Sequence, residues 1–236
     1  MFILIDTYID IMKISQDTIS ILKNFSTINK NIAIYAGENT IQTISDSESE
    51  FAIAKIKEEF PVDIALNDLG EFLNVTNLFN DPEYILTDNS VTIREDGAKR
   101  GGVCLKFAAM HHLTIVEKGK KWNAPEESLK IDVAWEKLNQ IIKTASILGL
   151  PNIQINADSN GVTAKIYNKM YPDGSKEGNI VLSNEPFSGN IELCFDASKF
   201  KMPSNYDYEL YIYEGGFVKW TSGSGDYNYI MAAESD

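Results

Sequence analysis

Shifted by 120 positions, the sequence meets a partial copy of itself. Thr18, Ile21, Leu22, Phe25 and Ile28 fall on Leu138, Ile141, Ile142, Ala145 and Leu148, while Lys23 falls on Lys143 and Ser20 on Gln140. In both copies the apolar positions recur at three- and four-residue steps, the stripe of an amphipathic helix. Strand-like alternation follows in each copy. Val62, Ile64 and Leu66 alternate ahead of Asp68, and Ile191, Leu193 and Phe195 alternate ahead of Asp196; both aspartates suit a helix N-cap. A period this long means two similar domains in tandem rather than a solenoid, and 236 residues suffice for both. The spacing therefore predicts an α+β chain in which each half reads helix, strands, helix, strands. Domain 1 is expected over residues 12–117 and domain 2 over 128–236. A polar connector, 118–127, broken by Gly119 and Pro125, runs extended between them, and residues 1–11 form an N-terminal extension.

The first helix has a second face. Gln16, Ser20, Lys23, Thr27 and Lys30 recur at helical steps opposite the apolar stripe, and none is a carboxylate. The whole chain carries 34 acidic residues against 21 basic, a net charge of −13. That balance favours solubility and opposes nonspecific adhesion to nucleic acid or anionic membrane, so a polyanion-binding surface requires segregated positive charge. Two readings of the cleared face stand side by side: a solvated helix face, and a face turned to a polyanion. Lysines recur on the outer sides of the other predicted helices, Lys137 and Lys143 on the third, Lys199 and Lys201 on the fourth, which spans ASKFKM and ends at Pro203; the second helix offers only Asn74 and Asn77 beside Glu71. A lysine is a flexible point charge, suited to phosphate contact that ignores base sequence. These helices carry no aromatic ladder for stacking single-stranded bases, which favours duplex as the target.

Conventional catalytic signals are weak. His111 and His112 are adjacent and expected to point apart, a poor metal pair. Ser222–Gly225 lacks the setting and lysine of a phosphate loop and reads as a hairpin turn, as do Asp158–Gly161 and, for a longer hairpin, Tyr171-Pro172-Asp173-Gly174. Cys104 and Cys194 lie in alternating segments and are expected as buried thiols, consistent with a cytosolic chain. No segment is long and apolar enough to span a membrane. No cofactor and no catalysis are expected. Alternatives from other classes are a β-rich virion or carbohydrate-binding module and a metal-dependent hydrolase.

Particular runs resemble a known family. Met12 to Asn29, MKISQDTISILKNFSTIN, resembles the opening of the sliding clamps of T-even-type bacteriophages, the DNA polymerase processivity factors; Asn67 to Leu73, Leu138 to Ser146 and Phe200 to Met202 resemble later helices of those clamps in order. The resemblance implies the DNA clamp fold, two domains per subunit with two helices each on antiparallel sheet, closed by three subunits into a homotrimeric ring. It implies basic residues facing DNA at Lys23, Lys143 and Lys201; the helical faces add Lys30, Lys137 and Lys199. Implied partners are double-stranded DNA without sequence preference, the DNA polymerase C-terminal peptide, and an ATP-driven clamp loader. A role in late viral transcription and a place in the cytoplasm of the infected host follow as well. Trp122, Tyr229, Ile230 and Met231 are candidates for the groove that receives client peptides.

Overall fold

The computed structural model describes residues 10–171, 174, 176–204 and 206–234. Residues 1–9 of the expected extension, and Pro172 and Asp173 of the expected turn, lie outside them. The chain divides into two units, one ending at Lys120 and the other beginning at Lys121.

The first unit runs β1 (Asp10–Met12), α1 (Gln16–Phe25), β2 (Ile32–Ile34), β3 (Thr40–Ile44), β4 (Glu50–Lys55), β5 (Ile64–Leu66), α2 (Leu69–Thr76), β6 (Pro82–Thr87), β7 (Ser90–Glu95) and β8 (Val103–Lys106). The second runs β9 (Glu127–Val133), α3 (Trp135–Leu148), β10 (Asn152–Asp158), β11 (Gly161–Tyr167), β12 (Gly178–Ser183), β13 (Ile191–Asp196), β14 (Tyr208–Tyr213), β15 (Phe217–Ser222) and β16 (Tyr227–Ala232). Each unit is thus a βαβββ motif used twice. The first strand of each motif pairs with the other motif. β1 joins β6 in the order β1-β6-β7-β8, and β5 joins β2; likewise β9 joins β14 in the order β9-β14-β15-β16, and β13 joins β10 in the order β12-β11-β10-β13. All of these pairings are antiparallel. β1 runs through Met12, opposite Tyr84, so the sheet starts ahead of that methionine with Asp10 and Ile11.

The fourth motif departs from expectation. Where a helix was predicted over ASKFKM, the chain makes one 3-10 turn, Ala197–Lys199. Asp196 still caps it, accepting from the Ser198 amide at 2.7 Å. The turn cannot extend, for two reasons. Phe200 leaves helical geometry to pack edge-on against Phe195 and Trp220, with centroids 6.2 Å from each. Pro203 disfavours helical backbone at Met202. The described residues therefore hold three α-helices.

Most of the predicted stripe of α1 is its buried side: Leu22 and Phe25 are fully buried, Thr18, Ile14 and Ile28 nearly so, while Ile21 is only half-buried and Ile19, outside the predicted stripe, is buried at 3%. In the first core Leu22 meets Leu69 and Phe72 of α2, Ile34 and Ile64 of the β2–β5 pair, and Tyr84 of β6. The other expected thiol burial fails at Cys104, which is exposed. It lies on edge strand β8, where alternation puts Val103 and Leu105 inward and Cys104 outward with Lys106. Cys194 is half-buried.

Glu58 fixes the start of α1. Its carboxylate accepts from the Ser15 amide and the Thr18 hydroxyl, while the Ser15 hydroxyl oxygen accepts from the Thr18 amide at 3.3 Å. Burial alone would push the Glu58 carboxyl up, but the bonds from Thr18 and Ser15 prevail and hold it below the usual range. A carboxyl depressed in the folded state stabilises above its unfolded pKa, and that stabilisation is lost as pH falls through the folded value. Glu58→Ala is expected to cost about 1–2 kcal/mol at pH 7, with a smaller difference from wild type at pH 3, read by urea unfolding at both pH values.

Candidate nucleic-acid interface

The outer side of α1 is exposed as its spacing predicts, but the helix ends at Phe25, so Thr27 and Lys30 lie in the loop that follows. Gln16, Ser20, Lys23, Thr27 and Lys30 are all exposed. The one acid on this helix, Asp17, is neutralised by Lys57 at 2.6 Å. Lys23 sits in the last turn, where an amine complements the helix carbonyl end. Neither Lys23 nor Lys30 makes an ion pair among the described residues. Beside this helix α2 packs on α1 and exposes Glu71, Asn74 and Asn77. Asp68 caps it by accepting from the Glu71 amide at 3.0 Å.

α3 begins without a side-chain cap of its own, since Ala134 holds that position. Asp207, 72 residues away, supplies it by accepting from the Trp135 amide at 2.8 Å; no local sequence signal could have shown this. Gly149 closes the helix in the left-handed region at φ 65°. Lys143 is exposed on the outer side with Gln140 and Ser146 and has no ion pair among the described residues.

The other predicted amines are placed differently. Lys137 donates to the Val181 and Leu182 carbonyls at 2.7 and 3.2 Å. Lys199 donates to the Ala232 carbonyl at 3.3 Å, on a 3-10 turn instead of a helix face. Lys201 lies past that turn, half-buried, and is not free. In the fourth motif the chain is drawn inward by Phe200, so Lys199 reaches backbone instead of an open helix face. Among the six, Lys23 and Lys143 are exposed amines on helices, and Lys30 is an exposed amine in the loop five residues past the end of α1.

Trp122 is half-buried, edge-on to Tyr213 at 5.2 Å. Tyr229, Ile230 and Met231 lie in β16 and are at most 4% exposed, so their side chains face protein. His111 and His112 are both exposed on a 3-10 turn, and their rings do not point apart: the centroids are 4.0 Å from one another. No cluster of three or more metal-binding side chains occurs among the described residues. Ser222–Gly225 is the β15–β16 turn, with the Gly225 amide donating to the Ser222 carbonyl at 2.7 Å.

Residues 15–99 match the family model described as DNA polymerase processivity factor. The sliding clamp of Vibrio phage KVP40 is 28% identical over 229 residues, covering 95% of this chain and 100% of the relative. The sliding clamp of Escherichia phage RB69 is 29% identical over 230 residues, covering 95% of this chain and 98% of the relative. Over nearly its whole length the chain is similar to phage sliding clamps. The fold agrees: A. fulgidus PCNA, solved with the C-terminal region of FEN-1 bound, superposes with a TM-score of 0.68 at 12% identity, covering 97% of this chain and 98% of that one. Neither relative is a virion or carbohydrate-binding protein. For a sliding clamp, these exposed amines are the phosphate-facing groups to test. Lys23→Glu, Lys30→Glu or Lys143→Glu is expected to lower polymerase stimulation on primed DNA by about fivefold each at physiological salt. Lys199→Met should change it by less than about twofold, since its ammonium already serves a carbonyl.

Proposed function

We propose that this chain is a sliding clamp that encircles duplex DNA as a homotrimer and tethers a phage replicative polymerase, with no catalytic step of its own. The observation that carries it is the pair of equivalent helices, α1 and α3, whose outer faces offer Lys23 and Lys143, with Lys30 in the loop after α1, all without ion pairs among the described residues in a chain of net charge −13. Amines that contact phosphates singly exchange easily between neighbouring phosphates, so the contact permits movement along the duplex. Ring closure draws on two sheet edges of one chain, β8 in the first unit and β12 in the second. Unlike edges pairing head to tail make a heterologous interface that closes when the rotation per subunit divides a full turn.

An acidic ring is repelled by DNA, so an ATP-driven loader is needed to open and close it around its track. As the A. fulgidus clamp holds the C-terminal region of FEN-1, this one takes the polymerase's C-terminal peptide, and Trp122 against Tyr213 is the candidate seat. Late viral transcription is a second use of the same ring, and both take place in the cytoplasm of the infected bacterium. Sedimentation tests the ring directly. A species of about 79 kDa, three times the 26.4 kDa subunit, is expected at micromolar concentration; a 26.4 kDa particle at every concentration overturns the proposal.

A further inference from the structure

Lys137 was a candidate for DNA, yet its ammonium is spent on an edge strand. β12 is the outermost strand of β12-β11-β10-β13. Its pairing to β11 slips by one residue: Val162 faces Ser183, but Thr163 faces Val181, leaving Leu182 as the extra residue of a bulge. A bulge takes backbone groups out of the ladder. Lys137 takes up the carbonyls on both sides of the irregularity, Val181 at 2.7 Å and Leu182 at 3.2 Å, using two of its three donors. The same helix touches β12 again further along. A Cβ on Gly178 would meet Thr144 Cγ2 at 2.8 Å, so helix and strand are in close contact there. From Lys137 to Thr144 is about 10 Å along a helix, and from Leu182 back to Gly178 is about 13 Å along a strand. α3 and β12 are therefore joined at two places of matching separation. The strand itself stays open: Asn179 and Val181 are exposed, Val181 at 44%.

We propose that Lys137 is a positioning residue of the subunit interface, fixing the bulged edge of β12 so that a strand of the next copy pairs with it in one register. The inference rests on the ring reading above. A bulged edge is an irregular template, and without its cap the two carbonyls face solvent and the last residues of β12 fray. The ammonium also lies in a cleft of about 490 Å³ lined by Asp132, Asp207 and Glu209. Phosphate approaching this position would meet acid, which separates Lys137 from Lys143 in role.

The test is a dilution series in sedimentation velocity on the full chain, comparing wild type with Lys137→Met, Lys137→Arg and Lys143→Met. Lys137→Met should raise the subunit dissociation constant about tenfold, Lys137→Arg should restore most of the loss, and Lys143→Met should leave it unchanged. Gly178→Ser, which pushes α3 off β12 by another route, should weaken the ring in the same sense. The thermal midpoint of Lys137→Met monomers should stay within about 2 °C of wild-type monomers. An unchanged dissociation constant for Lys137→Met in a trimeric protein overturns the inference and leaves the ring standing, as does a loss of DNA stimulation at ring-saturating concentration. A wild-type protein that is monomeric throughout removes the ring reading and the inference together.

Discussion

The structure depends on an exchange of strands. Every βαβββ motif gives its first strand to the sheet of its neighbour, β1 to β6, β5 to β2, β9 to β14 and β13 to β10. A motif left alone would have a helix packed on an incomplete sheet and a strand with no ladder. Because the exchange is mutual, the two motifs of a unit fold as one body. The helix that follows the exchanged strand is held at its entry. In α1 the entry is fixed by Ser15 and Glu58, in α2 by Asp68, in α3 by Asp207. Three different sources of the same capping bond show that the position of the helix start is what the fold requires, and the residue supplying it is free to vary.

The motif that lost its helix shows the reverse. Asp196 still caps, but Phe200 enters the Phe195–Trp220 cluster and Pro203 follows at once. Core packing overrides helix continuation here, as expected for a segment too short to propagate. Lys199, which a full helix would have presented outward, is drawn to backbone at the Ala232 carbonyl. Glu234 is held nearby: its amide donates to the Cys194 carbonyl at 2.8 Å, and its carboxylate pairs with Lys169.

What was legible in the sequence was what repeats at short range. The α1 stripe, the Asp68 cap, the Gly149 stop and the Ser222–Gly225 turn all rest on residues within a few positions of each other, and all are as read. β9 was hidden because half its residues face outward and are polar, so its start looked like connector. β12 was not delimited because an edge strand with a bulge breaks its own alternation. Lys137 illustrates the limit for function. Helical spacing places it on an outer side of α3; the fold instead packs β12, 44 residues later, against that side, within reach of its ammonium. Spacing assigns a side chain to a face, and tertiary structure decides what meets that face.

That limit sharpens the account of how a clamp of this kind could hold its track. Six lysines read from spacing reduce to two exposed helical amines, Lys23 and Lys143, and one in the loop after α1, Lys30. An exposed amine meeting one phosphate contributes little at physiological salt, and the surplus of 13 negative charges opposes approach from outside. Affinity for DNA is then too small to retain a free subunit. In the proposed ring, retention comes from connectivity, and the strength of the subunit contact sets residence on DNA. A lysine withdrawn from the DNA-facing set and spent on the edge of β12 would serve that quantity directly: the charge that could have increased grip, and with it friction, goes to the seam instead.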